Sequence, residues 1–235
     1  MKKIKIKIFA DGADFSGIVN YNKKKFIKGL TTNPSLMKKS GVKNYTAFAK
    51  KILKIVNKKP ISFEVFSDEF EGMYNQAKKI ASWGNNVYVK IPVTNTKGQG
   101  SYNLIKKLSN ENIKLNITAI FTEDQVKKVI NSLNPEVKSI ISIFAGRIAD
   151  TGENPEFLIK KTLKLLKKNK NCEVLWASTR ELYNILSANS IGCHIITVPN
   201  NILDKLDLFG YNLKNYSLET VREFYRDAKK AGFVI

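Results

Sequence analysis

Apolar and polar residues along this chain follow two periods that alternate. Short runs of strand character stand at 6–11 (IKIFAD), 26–31 (FIKGLT), 61–66 (ISFEVF), 87–92 (VYVKIP), 115–120 (LNITAI), 140–145 (IISIFA), 173–178 (EVLWAS) and 194–199 (HIITVP). Between them, apolar residues recur three and four apart with lysines on the opposite face, as in 45–59, 71–83, 103–110, 123–133 and 155–168. Strands separated by crossover-length helices imply a parallel sheet. Eight such units in 235 residues predict an α/β fold closed into a (β/α)8 TIM barrel, one domain over 1–235. Beyond the eighth unit, SLETVREFYRDAKK has helical period with Ser217 as a candidate N-cap, so residues 217–235 are expected as a C-terminal helical extension.

In parallel barrels the working groups gather where the strands end. Those ends carry Asp11, Thr31-Thr32-Asn33, Glu64, Lys90, Asn116 with Thr118, Ser142 with Arg147, and Ser178 with Arg180. Alternation puts Ser62 with Glu64, Asn116 with Thr118, and Ser142 with Phe144 on shared faces. Barrel interiors are normally filled by branched apolar residues, so packing alone does not account for this polar set. Lys90 is the sharpest case. Asn86, Tyr88 and Lys90 share one face of their strand, and in a sheet buried on both sides that face is also interior. Burial of an ammonium is costly and favours the neutral amine, which is a nucleophile.

Composition changes this picture little. The formal net charge of +20 invites a nucleic-acid reading, but only four of the 40 basic residues are arginines (Arg147, Arg180, Arg222 and Arg226). The lysines are spread along the whole chain, and with abundant Asn and Ile they fit an AT-rich coding bias carried on solvated helix faces. No nucleic-acid partner is expected on this ground. No apolar run approaches membrane-span length, and the N-terminal MKKIKIKIFAD reads as an alternating strand because lysines interrupt its apolar residues. Two cysteines, Cys172 and Cys193, make no disulfide framework and suit a reducing cytoplasm. FADGADFSG is neither a dinucleotide fingerprint nor a P-loop. The lone His194 opens the eighth strand, where a structural role is expected, and no Cys/His cluster has metal-ligand spacing.

The segments GLTTNPSLMKKSG (29–41) and VYVKIPVT (87–94) resemble the transaldolase family, including its fructose-6-phosphate aldolases. FADGAD (9–14), LNITAIFT (115–122), IFAGRIAD (143–150) and WASTR (176–180) extend the resemblance in order from the first strand to the seventh. It implies a β/α barrel in which Lys90 forms a Schiff base with a ketose, and neither metal nor cofactor is required. By the same resemblance, Asp11 is the general acid/base that takes the C4 hydroxyl proton as the C3–C4 bond breaks. Glu64 and Thr118 handle water during Schiff-base formation and hydrolysis. Asn33, Asn116 and Ser142 hold the dihydroxyacetone portion, and Arg147, Ser178 and Arg180 hold phosphate. The implied partners are sugar phosphates and further copies of the chain, since compact members form ring-like oligomers, often decamers, through the C-terminal helix.

Plainer roles compete for the same residues. Lys90 could snorkel from a strand end, Asp11 could cap the next helix unless Asp14 does, and Glu64 could simply pair with a lysine. Asn33 precedes Pro34, where a turn-forming role is the alternative. Arg222 and Arg226 read as surface residues of the last helix. The stripe Leu218, Val221, Phe224 and Tyr225 needs a partner surface, either another subunit or its own barrel. Within the family, transaldolases carry Glu and Phe where the aldolases carry Gln and Tyr; Glu64 and Phe144 therefore favour transfer over release of dihydroxyacetone. Thr179 stands where an aromatic is common, which bears on the sugar preferred. A different class of function, a basic module holding RNA or anionic lipid, would need aromatics interleaved on the basic face, whereas those here lie mostly in strands and on apolar helix faces.

Overall fold

The computed structural model describes residues 4–235; the first three residues of the basic N-terminal run lie outside the described residues. Eight parallel strands close in sequence order, β1 pairing with β8, into the expected barrel. The first half runs β1 (Lys7–Asp11), α1 (Phe15–Lys23), β2 (Ile27–Thr31), α2 (Pro34–Lys39), α3 (Tyr45–Leu53), β3 (Ile61–Glu64), α4 (Phe70–Ala81) and β4 (Val87–Pro92). The second runs α5 (Tyr102–Asn110), β5 (Leu115–Ile120), α6 (Glu123–Ser132), β6 (Ser139–Ile143), α7 (Ala145–Ala149), α8 (Pro155–Leu165), β7 (Cys172–Trp176), α9 (Tyr183–Ser190) and β8 (Ile195–Pro199). A short α10 (Asn200–Leu203), a 3-10 turn and α11 (Leu213–Ala231) complete it.

Alternation along each strand divides the apolar residues into two bodies. The larger fills the layer between strands and helices, where Phe63, Ile91, Ile105, Ile117 and Ile141 are fully buried. The smaller sits inside the barrel and consists of Phe9, Ile140, Leu175, Ala177 and Ile195, flanked by Tyr88 and Phe144. Above that plug the interior turns polar, and cross-strand register brings the polar ends together: Asp11 beside Thr31, Glu64 beside Lys90, Lys90 beside Asn116. The plug also fixes one residue of β2. Gly29 lies opposite Phe9, whose ring would stand 2.5 Å from any Cβ at that position.

The C-terminal helix departs from expectation at its start. It begins at Leu213, capped by Asn212, whose Oδ1 accepts from the amides of Lys214 and Asn215. Ser217 is therefore a second-turn residue and not the N-cap, and the extension is longer than 217–235. No residue of α11 is buried, and Leu218, Val221, Phe224 and Tyr225 are between 48% and 67% exposed. Packing of this stripe on its own barrel is thereby ruled out. Arg222 and Arg226 are exposed as expected.

Gly29→Ala should cost roughly 1–3 kcal/mol in urea unfolding by overpacking against Phe9. Phe9→Leu should restore most of that loss in the double variant. Equal losses with and without the Phe9 change would show that the ring is not what excludes a side chain.

Candidate active site

All eleven residues singled out from the sequence line one cavity of about 480 Å³ at the C-terminal mouth of the barrel. At its floor, Lys90 is buried, 6% exposed, so it does not snorkel to solvent. Its Nζ lies 3.1 Å from Glu64 Oε2 and donates to the Thr32 carbonyl at 3.1 Å. The lysine pairing considered for Glu64 as an alternative is thus real, and its partner is Lys90 itself. A buried pair is tolerable only where its remaining hydrogen-bonding capacity is met. Glu64 gains support from the other side of its strand, where the Tyr45 hydroxyl donates to its carbonyl and accepts from its amide, both at 2.8 Å.

Asp11 faces the same floor from β1. The Thr31 hydroxyl donates to its Oδ1 at 2.6 Å and is itself joined to the Thr197 hydroxyl. Thr31 has one proton and spends it on Asp11, so Thr197 is the donor in the second bond. Burial pushes the Asp11 carboxyl above the usual aspartate range, opposed by the Lys90 charge and the Thr31 hydrogen bond and assisted by Glu64. The capping role is taken by Asp14, whose carboxylate accepts from the Gly17 amide at 2.7 Å, so Asp11 is free for other work. A second polar chain crosses β3, β5 and β6. Ser142 Oγ donates to Asn116 Oδ1 at 2.6 Å, and Asn116 Nδ2 donates to Ser62 Oγ at 3.0 Å. Both Asn116 orientations are thereby fixed. Thr118 Oγ1, on the same face, is buried with no hydrogen-bond partner among the described residues, which leaves it free to hold a polar atom in the cavity. Asn33 does the plainer job as well: its Oδ1 caps α2 by accepting from Leu36 N at 2.9 Å, while the residue lines the cavity.

The rim is cationic. Arg147 lies over the Phe144 ring, 5.5 Å from its centroid, and that ring packs on Phe121 at 5.7 Å. Arg180 pairs with Asp150. Arg147 stands on α7 and Arg180 on the loop after β7, and the two segments touch through main chain, because a Cβ on Gly146 would meet the Ser178 carbonyl oxygen at 1.7 Å. Ser178 adopts φ 62° and Ala119, beside Thr118, φ 58°. Left-handed conformations in non-glycine residues cost energy and cluster at functional sites. Thr179 faces inward, its hydroxyl donating to the Thr197 carbonyl at 2.7 Å, which ties the loop after β7 to β8.

Sequence reasoning missed several participants. Thr197 is the eighth strand's contribution to the polar face, readable from its place two residues before Pro199. Asp150 was legible only as part of GRIAD, and the strained Ala119 and Ser178 carried no signal in residue type. His194 lies at the opposite end, where its Nδ1 accepts from Val174 N at 2.9 Å, the structural role expected of it.

Comparison with known proteins bears on the family. The family model for Transaldolase/Fructose-6-phosphate aldolase matches residues 8–235. A Methanococcus maripaludis protein named "Probable transaldolase" is 36% identical over 202 residues, 86% of this chain and 89% of the relative. A second of that name, from a Thermoanaerobacter species, is 33% identical over 231 residues, covering 98% of this chain and all of the relative. Among solved structures, KGPDC from Streptococcus mutans shares the barrel with a TM-score of 0.54 at 10% identity over 83% of this chain and 88% of that one, a likeness of fold alone. The chain belongs to the transaldolase/fructose-6-phosphate aldolase family.

The raised Asp11 value has a consequence for stability. The folded state keeps this proton at pH values where the unfolded chain, near 3.9, has already released it, so the group's contribution declines as pH rises through that interval. Asp11→Asn keeps an oxygen for Thr31 but no charge to bury. The variant should therefore resist urea better than the wild type at pH 7, with the difference vanishing near pH 4. Lower stability at pH 7 would mean that attraction to Lys90 outweighs burial.

Proposed function

We propose that this protein is a Schiff-base transaldolase. It moves a dihydroxyacetone unit from a ketose phosphate, such as sedoheptulose 7-phosphate or fructose 6-phosphate, to an aldose phosphate. The observation that carries this reading is a single buried lysine held between carboxylates at the end of β4. The Lys90 amine attacks the ketose carbonyl, and the carbinolamine loses water with Glu64 and Thr118 positioned to pass the proton. Asp11 takes the C4 hydroxyl proton while the C3–C4 bond breaks, releasing an aldose. The enamine left on Lys90 adds to the incoming aldehyde, Asp11 returns the proton, and hydrolysis frees the product. Asn33, Asn116 and Ser142 hold the three-carbon unit, and Arg147, Ser178 and Arg180 hold phosphate with charge-assisted contacts.

Transfer is favoured over release by Phe144. Its ring lines the cavity on the same side as Ser142 and offers no hydrogen bond to a water that would hydrolyse the intermediate. We also assign the protein to a reducing cytoplasm: Cys172 and Cys193 are buried free thiols, pushed up to about 11 and about 12 by burial, and so remain unreactive. Among the described residues, no helix is long and apolar enough to cross a membrane. The uncovered stripe of α11 further supports a ring-like homo-oligomer, such as the decamer the resemblance implies, with this helix on a neighbouring subunit.

Borohydride in the presence of fructose 6-phosphate should add mass to Lys90 alone, and Lys90→Met should abolish both trapping and turnover. Trapping that persists on another lysine defeats the assignment. In the same assays Phe144→Tyr should raise cleavage relative to transfer, whereas a wild type that releases dihydroxyacetone as fast as it transfers it belongs to the aldolase branch. Arg147→Ala or Arg180→Ala should weaken phosphorylated substrates roughly tenfold to a hundredfold, and unphosphorylated donors far less.

For assembly, Val221→Glu with Phe224→Glu should lower the mass seen in light scattering without loss of the folded barrel. A monomeric wild type would end that part of the proposal.

A further inference from the structure

The opposite end of the barrel is hollow as well. A cavity of about 820 Å³ opens there, larger than the one at the catalytic mouth. Its walls come from the N-terminal ends of the strands: Lys7 of β1, Lys28 of β2, Lys58 before β3, Lys114 before β5 and Lys138 before β6 all line it. Lys167 and Lys170, in the connection from α8 to β7, complete a group of seven lysines facing one carboxylate, Glu173. Helix-face lysines are explained by composition bias and solvent; these lysines sit at strand ends and converge.

Local partners account for only part of this charge. Lys7 pairs with Glu173 at 2.7 Å, Lys114 donates to the Asn85 carbonyl at 2.6 Å, and Lys28 donates to the Lys25 carbonyl at 2.9 Å. Lys58, Lys138, Lys167 and Lys170 have no ion-pair or hydrogen-bond partner among the described residues. The floor beneath them is the underside of the apolar plug, Phe9, Ile140 and Tyr88. Like charges gathered over a low-dielectric floor repel one another and focus the field into the opening, which favours an anion there over one on an open surface. The volume is that of a small-molecule site. A concave mouth without interleaved exposed aromatics is the wrong shape for a single nucleic-acid strand.

We propose that this N-terminal mouth is a second binding site, for a small oligophosphate with at least three negative charges. Lysine ammoniums at several strand ends contact successive phosphoryl groups as point charges, and no guanidinium fork is needed. The site is separate from the arginine pair at the catalytic end and does not depend on the reaction assigned above.

Inorganic tripolyphosphate is the probe, with orthophosphate as control, titrated calorimetrically into the intact protein at low salt. One equivalent per chain should bind, much more tightly than orthophosphate. Lys58→Gln, Lys138→Gln and Lys170→Gln combined should weaken it at least tenfold while aldol activity persists, and the corresponding three arginine substitutions should keep the affinity. Arg147→Ala with Arg180→Ala should leave the binding unchanged. The proposal fails if the glutamine variant binds as well as wild type, or if the arginine-to-alanine variant abolishes binding. It fails equally if a single-stranded RNA oligonucleotide binds more tightly than tripolyphosphate and is lost in the same glutamine variant.

Discussion

A lysine nitrogen held inside a barrel is the constraint from which most of this structure follows. A buried amine needs polar partners, and Lys90 has Glu64 at 3.1 Å and the Thr32 carbonyl at 3.1 Å, with Asp11 facing the same floor. Those partners occupy the inner faces of β1 and β3, and the Asn116–Ser142 chain continues the polar layer across β5 and β6. The apolar filling is consequently displaced toward the lower half of the barrel and reduced to five buried residues. With so few, the Phe9 ring packs over the neighbouring strand, and Gly29 is the opening into which it fits. A site requirement at the top of the barrel thus explains a glycine in its middle.

Period and parity made the barrel and the membership of its polar face legible, because a side chain's face on a strand depends only on counting by two. Counting failed where the backbone leaves the regular path. The pairing of β5 with β6 shifts register between Ile117 and Ile120, and Ala119 takes up a left-handed conformation there that no alanine announces. Asn212 outcompeted Ser217 because an asparagine side chain that reaches two amides sets the helix start five residues before the hydroxyl could. Residues with two jobs were also beyond the sequence: Asn33 caps α2 and lines the cavity, and Glu64 is both ion-pair partner and candidate proton carrier. Motif spacing reveals which residues meet, while the division of their hydrogen bonds depends on distances that only the fold supplies.

Net charge proved a poor guide until it was located. The two mouths of one barrel differ in kind. The C-terminal end sets its arginines and Lys90 against Asp11, Glu64 and Asp150, while the other end sets seven lysines against Glu173. A single total of +20 conceals this polarity. It arises because the strand N-termini here carry a single carboxylate, Glu173, already paired with Lys7, to offset their lysines.

The pairing of Arg180 with Asp150 gives the rim of the candidate site an exchange character. Both side chains are about half exposed, so their bond is weak, worth about 0–1 kcal/mol, and any anion that takes the guanidinium must first displace the carboxylate. Asp150 is then a resident competitor, attached to the chain and impossible to dilute. Added salt loosens the internal pair and screens the arriving anion at the same time, so the two effects oppose each other. Binding through Arg180 should vary less with ionic strength than binding through Arg147, which leans on an aromatic ring and surrenders no partner.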